Sequence, residues 1–166
     1  MGMLGSYVMA DEDIIEKIKS GEISAADILY NEDGDLPEDS IDIGHSWHAI
    51  HYILTGDIGA CEGDDPLLKV VLGGQPLGDE DFGYGPPLYL SVADVKETNA
   101  ALQSISNDDF SARFNYSEMQ IEDIYATKYD GSAEVFLCSC LEGFISIKEF
   151  FAESANSNKC IIFFVE

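Results

Sequence analysis

Lysine and arginine are scarce in this chain: eight stand against 32 aspartates and glutamates, leaving a formal net charge of −24 over 166 residues. Nucleic acids and anionic membrane surfaces are both met through Lys and Arg. A field of this sign repels them, which excludes both classes of partner. The same field draws a basic protein and speeds that encounter at low salt. Its plainer use is solubility, because runs of like charge in loops are ordinarily just solvated. The acids gather at residues 11–13, 32–39, 62–65 and 79–81.

Long apolar runs are missing too, and none approaches the roughly 20 residues needed to span a bilayer. The first ten residues carry no basic segment and lead straight into Asp11, which argues against a secretory signal. Gly2 and Ser6 match a myristoylation pattern, but the stretch reads more simply as a strand. The four cysteines, Cys61, Cys138, Cys140 and Cys160, contain no Cys-x-x-Cys pair. Cys138 and Cys140 lie in a strongly apolar segment and Cys160 precedes a strand-like run, contexts that suit thiols acting as small hydrophobes. A disulfide framework does not fit such a chain. The expected compartment is the cytoplasm.

Signatures of chemistry are absent as well. There is no Gly-x-Gly-x-x-Gly or Lys-Ser/Thr phosphate loop, no Gly-x-Ser-x-Gly elbow and no His-Glu-x-x-His. Asn31, Asp33, Asp35 and Asp42 imitate positions 1, 3, 5 and 12 of a calcium loop. Leu36 replaces the glycine that loop requires and its last ligand is Asp rather than Glu, so it is rejected.

What is present describes one globular domain over residues 1–166, with 46% hydrophobic and 11% aromatic residues. Residues 3–9 read as a strand. Asp11 is placed to cap a helix through Ser20, and Ser24 a short one to about Asn31. Asp65 before Pro66 starts a helix through Val71 that stops at Gly73. Residues 88–90 are a strand candidate. Ser91 with Asp94, and Ser106 with Asp109, have the spacing of a capping box. Ser117 can cap a further turn. Phe136, Cys140, Phe144, Ile147 and Phe151 follow helical steps, flanked by a second stripe of Leu137, Leu141 and Ile145. Gly143 in their midst costs about 1 kcal/mol against alanine and marks a point where that helix could break. Residues 160–165 read as a strand buried on both faces. The sum is an α+β fold, one helix-rich domain with a small sheet that includes the N-terminal and C-terminal strands.

Residues 41–56, Ile-Asp-Ile-Gly-His-Ser-Trp-His-Ala-Ile-His-Tyr-Ile-Leu-Thr-Gly, hold all three histidines and the single tryptophan, and read as one helix ending at Gly56. On a wheel of 100° per residue, His51 falls with Ile43, Trp47, Ile50 and Leu54, while His45, His48 and Tyr52 share another side. A zinc site needs three or four ligands within about 2 Å of one point. His45 and His48 supply two, so neither a metal nor a cofactor is expected. His51 reads as a buried, hydrogen-bonded imidazole and Trp47 as core. His48 and Tyr52 are either surface residues or the lining of a shallow pocket with Asp57. The second candidate is the glycine- and proline-rich loop 73–87, carrying Tyr84. Its acids at 79–81 repel anions, and its plainer reading is a chain of tight turns.

Trp47-His48-Ala49-Ile50-His51-Tyr52-Ile53-Leu54-Thr55-Gly56, Gly73-Gly74-Gln75-Pro76-Leu77-Gly78 and Gly83-Tyr84-Gly85-Pro86 occur in that order after an opening Met1-Gly2-Met3. The series resembles the YfbM-like proteins of bacteria, a family catalogued as a domain of unknown function. The resemblance implies a cytosolic, single-domain α+β protein and hands over no site residues. In the family pattern a lysine tends to stand where this chain has His45, and an arginine where it has Leu88.

Two readings of function follow. The first is a non-catalytic, acidic protein-binding module, of the kind that inhibits a basic toxin or nuclease, carried by the charge and the missing catalytic signatures. The alternative is a small-molecule-binding protein or hydrolase with a pocket near the Trp47 helix and loop 73–87, built from His48, His51, Tyr52, Asp57 and Tyr84.

Overall fold

The run Cys-Ile-Ile-Phe-Phe-Val has no polar face to turn toward water. In the computed structural model, which describes residues 2–127 and 131–166, it forms a strand buried along its whole length. Among the described residues the elements are β1 (Gly5–Ala10), α1 (Glu12–Lys19), α2 (Ala26–Leu29), β2 (Ser40–Gly44), α3 (Trp47–Thr55), a 3-10 turn (Pro66–Lys69), β3 (Gln75–Pro76), β4 (Leu88–Leu90), α4 (Val92–Gln103), α5 (Asn107–Ala112), α6 (Tyr116–Ile121), α7 (Ala133–Asn156) and β5 (Cys160–Val165). The five strands form one antiparallel sheet in the order β2-β1-β5-β4-β3. The expected α+β class therefore holds, with β1 and β5 paired in the sheet's interior.

Tyr7 stands opposite Phe163 and Val8 opposite Ile162, and the two-residue period of a strand sorts them to two faces. Tyr7, Ile161, Phe163 and Val165 join the core made with α3 to α7. Val8, Ala10, Ile162 and Phe164 join a second core with Ile15 and Ile18 of α1, Leu29 of α2 and Leu77 of loop 73–87. The result is three layers, with α1 and α2 on one face of the sheet and the remaining helices on the other. No helix among the described residues is long and apolar enough to cross a membrane.

Several local signals act as expected. The Asp65 carboxylate accepts the Leu67 N–H at 3.0 Å with Pro66 in the first turn. Ser106 and Asp109 close a full capping box on α5. Gly56 ends α3 at φ 76°, a left-handed conformation that glycine adopts without strain. Others differ. Asp11 sits at the α1 N-cap without a side-chain cap bond; its carboxylate is engaged by Lys159 instead. Ser91 caps α4, but Asp94 pairs with Lys69 at 3.0 Å rather than closing the box. Asn115, not Ser117, caps α6. The helix expected through Val71 is only the 3-10 turn Pro66–Lys69. Cys138 is exposed, against the expectation of a small core hydrophobe, as is Cys61; Cys140 and Cys160 are buried, and all four are free thiols.

Two corrections matter for the site. Residues 41–56 are not one helix: Ser40–Gly44 is strand β2, and α3 begins only at Trp47. The alternation of Ile41 and Ile43 about Asp42 is a strand period, and pairing with β1 decides in its favour. Second, α7 runs unbroken for 24 residues through Gly143. A Cβ there would lie 2.8 Å from both Ile50 Cδ1 and Ser46 Oγ, so the glycine admits α3 and its preceding turn against α7.

Candidate functional site

Because α3 starts late, His45 lies on the exposed turn before it rather than on the wheel with His48 and Tyr52. The other two histidines act as ties to main chain. His48 Nδ1 accepts the Tyr125 N–H at 3.0 Å, so its Nε2–H donates to the Ile58 carbonyl at 2.7 Å. His51 Nε2 donates to the Gly59 carbonyl at 2.8 Å. Each imidazole thus pins the strand-free segment 57–60 to α3, and His48 also holds the 123–127 segment. With the Nδ1 lone pair taken by the Tyr125 N–H and Nε2–H donating to Ile58, His48 has no free nitrogen to offer a metal. No cluster of three or more metal-ligating residues occurs among the described residues.

His51 is only 1% exposed, and its Nδ1 is buried with no hydrogen-bond partner. Burial disfavours the imidazolium, and this lowers the His51 pKa in spite of the Gly59 bond. Unfolded His51 therefore takes up a proton at a higher pH than native His51 does. Stability contributed by the neutral ring is complete above about pH 6.5, the unfolded value, and is lost as pH falls toward the lower native pKa, by at most about 1.4 kcal/mol per pH unit. Urea unfolding from about pH 7.5 down to about pH 5 should show this loss, and His51→Gln, which keeps a donor for Gly59 but does not titrate, should flatten it. An identical slope in the variant would remove His51 as the cause.

Tyr52 donates its hydroxyl proton to Glu118 of α6, a bond that pushes its pKa up to about 12. Asp57 accepts a hydrogen bond from the Cys61 thiol at 3.2 Å, which raises the thiol pKa and keeps it protonated. Tyr84 is 54% exposed. Its loop is anchored by Leu77 and Phe82 in the core on the opposite face of the sheet from α3. Of the five proposed pocket residues, the structure groups His48, His51, Tyr52 and Asp57 around α3 and leaves Tyr84 elsewhere.

A cleft does open beside α3, at its N-terminal end. It encloses about 690 Å3 between the β2–α3 turn, the segment at Tyr125 and the first half of α7. Tyr125 accepts the Met3 N–H through its hydroxyl at 2.7 Å and meets His45 Nδ1 at 3.0 Å. Its ring stacks on Trp47 at 6.0 Å, and Trp47 donates its indole N–H to the Met3 carbonyl at 3.1 Å. His48 therefore fixes one wall of the cleft indirectly, through the Tyr125 amide. The floor includes Phe136 and Gly143, and α7 adds Ser139, Glu142 and Ser146.

This architecture recurs elsewhere. The crystal structure of YfbM from Escherichia coli, a protein of unknown function, matches with a TM-score of 0.76 over 98% of this chain and 99% of that one, at 19% identity. At that identity the likeness is one of fold. A search of curated proteins finds no match. The family profile described as a domain of unknown function (DUF1877) matches residues 1–164. The chain belongs to the DUF1877 family.

In this DUF1877 chain the cleft is suited to binding a cation-bearing group. Its wall holds the acidic side chain of Glu142, Asp42 borders it from β2, and among the described residues it has no lysine or arginine. Neither acid is in an ion pair with a described residue. Serine hydroxyls and the His45–Tyr125 pair supply further polar partners, while Ile43, Ala126 and Phe136 supply apolar wall. Sequence reasoning missed α7's share of this DUF1877 cleft. Ser139, Glu142, Gly143 and Ser146 recur at steps of three, one and three, a narrow stripe of polar and small residues among the mostly apolar residues 135–147. That stripe was the available signal.

Proposed function

We propose that this DUF1877 protein is a non-catalytic binding module for a basic protein, of the inhibitor or immunity kind, and that the cleft beside α3 takes a cationic side chain of the partner. The observation that carries the reading is Glu142: a carboxylate without an ion pair among the described residues, at the wall of a cleft in a chain of net charge −24. Long-range attraction brings a basic partner in, and the cleft gives the encounter a fixed address. The same reading sets the protein in the cytoplasm, where its four thiols stay reduced, and leaves nucleic acid and membranes outside its partners. A second reading, a small cationic ligand, is favoured by volume, since about 690 Å3 lies within the range of about 300–1,000 Å3 usual for small-molecule sites. A hydrolytic version of it has less support. His48 and His51 are bonded to carbonyls and His45 meets a phenol, so no described serine or cysteine has a histidine base as hydrogen-bond partner.

The test is a titration of a six-lysine peptide and of spermidine into labelled protein, followed by amide shifts at low ionic strength. The protein-binding reading expects peptide-induced shifts at His45, Ser46 and Ser139 to Ser146, and an affinity about fivefold weaker in Glu142→Gln, about 1 kcal/mol. Shifts confined to the acidic loops at 32–39 and 62–65, or an unaltered affinity in Glu142→Gln, would sink it. Spermidine in the cleft with the peptide excluded would pass the conclusion to the small-ligand reading.

A further inference from the structure

Two edges bound the sheet, and they differ. At one end β3 has two residues, one of them Pro76, and offers almost nothing to pair with. At the other end β2 has five residues and no proline. The register shows which main-chain groups of β2 are committed. Met9 N–H donates to the Asp39 carbonyl at 2.8 Å, and Tyr7 faces Ile41 in the same frame. In an antiparallel pair, bonded and non-bonded residue pairs alternate. Residues 39 and 41 therefore bond to β1, while Ser40 and Asp42 turn their N–H and C=O groups outward. The other side of β1 agrees: Leu4 and Glu166 exchange both bonds, at 2.8 and 3.0 Å, so the even residues of β1 serve β5 and the odd ones serve β2. No described residue pairs with the outward groups of Ser40 and Asp42.

This open edge borders the cleft. Asp42 lines it, yet Ile41 and Ile43 belong to the core on the α7 side. By alternation the Asp42 side chain belongs to the opposite face, its carboxylate accepting the Gly44 N–H at 2.7 Å. An extended segment laid along β2 would thus meet two acids on opposite sides. Its residues turned toward α7 would reach Glu142 in the cleft, and those turned the other way would pass Asp42.

We propose that a basic protein partner binds by strand addition: an extended segment with lysine or arginine at alternate positions pairs with the outward groups of Ser40 and Asp42 and seats a cationic side chain against Glu142. This deepens the protein-binding reading and rests on it. Main-chain bonds supply the affinity and alternate side chains the selectivity, as in other sheet-edge recognition. The charge of the cleft selects the occupant: side chains at alternate positions share one face, so the cations turned toward α7 all face Glu142, and an acidic or neutral strand gains nothing there.

The experiment uses the full chain and two probes, a peptide of alternating lysine and threonine and the same peptide N-methylated on the residues that would face β2. Expected are exchange of the Ser40 and Asp42 amides slowed about tenfold on binding the first peptide, and binding about tenfold weaker for the N-methylated one. Ser139→Arg, an exposed change on α7, should weaken the first peptide by a similar factor without disturbing the fold. Equal binding of both peptides at the cleft, or unslowed exchange of the two amides in the complex, overturns strand addition while leaving the protein-binding reading intact. If neither peptide shifts the cleft, both proposals fall together.

Discussion

Phe163→Ala is expected to destabilise the protein by about 3–5 kcal/mol, the usual cost of deleting a ring from a packed core. Phe163 is 4% exposed in β5, flanked by β1 and β4. Its ring lies 4.8 Å from that of Tyr7 and 6.5 Å from that of Trp47. Tyr7 is in turn committed by a buried bond from its hydroxyl to the Val70 carbonyl at 2.6 Å, so it cannot move freely into the void. Against a total stability of about 5–15 kcal/mol such a loss is severe. Thermal unfolding should show a midpoint lower by about 10 °C or more. A midpoint within about 3 °C of the parent would mean that Tyr7 and Trp47 close over the gap.

Gly143→Val is the second large effect, at about 2–3 kcal/mol, and it is a matter of excess volume. The first added carbon already lies 2.8 Å from Ile50 Cδ1 and Ser46 Oγ. Ser46 Oγ is held by its bond to the Ile43 carbonyl at 2.7 Å, and Ile50 is fully buried. Two further methyls on a stiff β-branched side chain force α7 away from α3. Gly143→Ala separates the causes, because it gains about 1 kcal/mol of helix propensity and asks only the ends of two side chains to shift. Urea unfolding should place the alanine variant close to the parent and the valine variant well below it. Equal losses in the two would point to the first carbon alone.

Gly143 also shows where sequence reading stops. Its cost to the helix was legible, but its purpose was not, because the purpose lies in Ser46 and Ile50, about a hundred residues earlier. The apolar run of β5 could be read correctly, since burial on both faces leaves a local trace. So could the caps at Asp65 and Ser106, which act within three residues of themselves. Strand β2 was hidden by its brevity beside a strongly periodic helix, and only its pairing with β1 defines it. The histidines are the clearest case. Three in seven residues suggest joint chemistry, yet the partners of His48 and His51 are Ile58, Gly59 and the Tyr125 amide, and His45 answers to the Tyr125 phenol. None of those partners is specified by the spacing within α3. Tyr84 likewise belongs to a conspicuous loop whose anchoring side chains, Leu77 and Phe82, determine its side of the sheet.

The pairing of β1 with β5 sets a clock on synthesis. Tyr7 emerges from the ribosome early, but Phe163, its partner across the sheet, follows 156 residues later (163 − 7). At about 5–20 residues per second that interval is on the order of ten to thirty seconds. Until it ends, β1 can hold β2 but has an uncovered inner edge and two apolar faces with no central strand beside them. The nascent chain therefore cannot assemble its sheet piecemeal, and β1 stays without its central partner until residues 160–165 have been made.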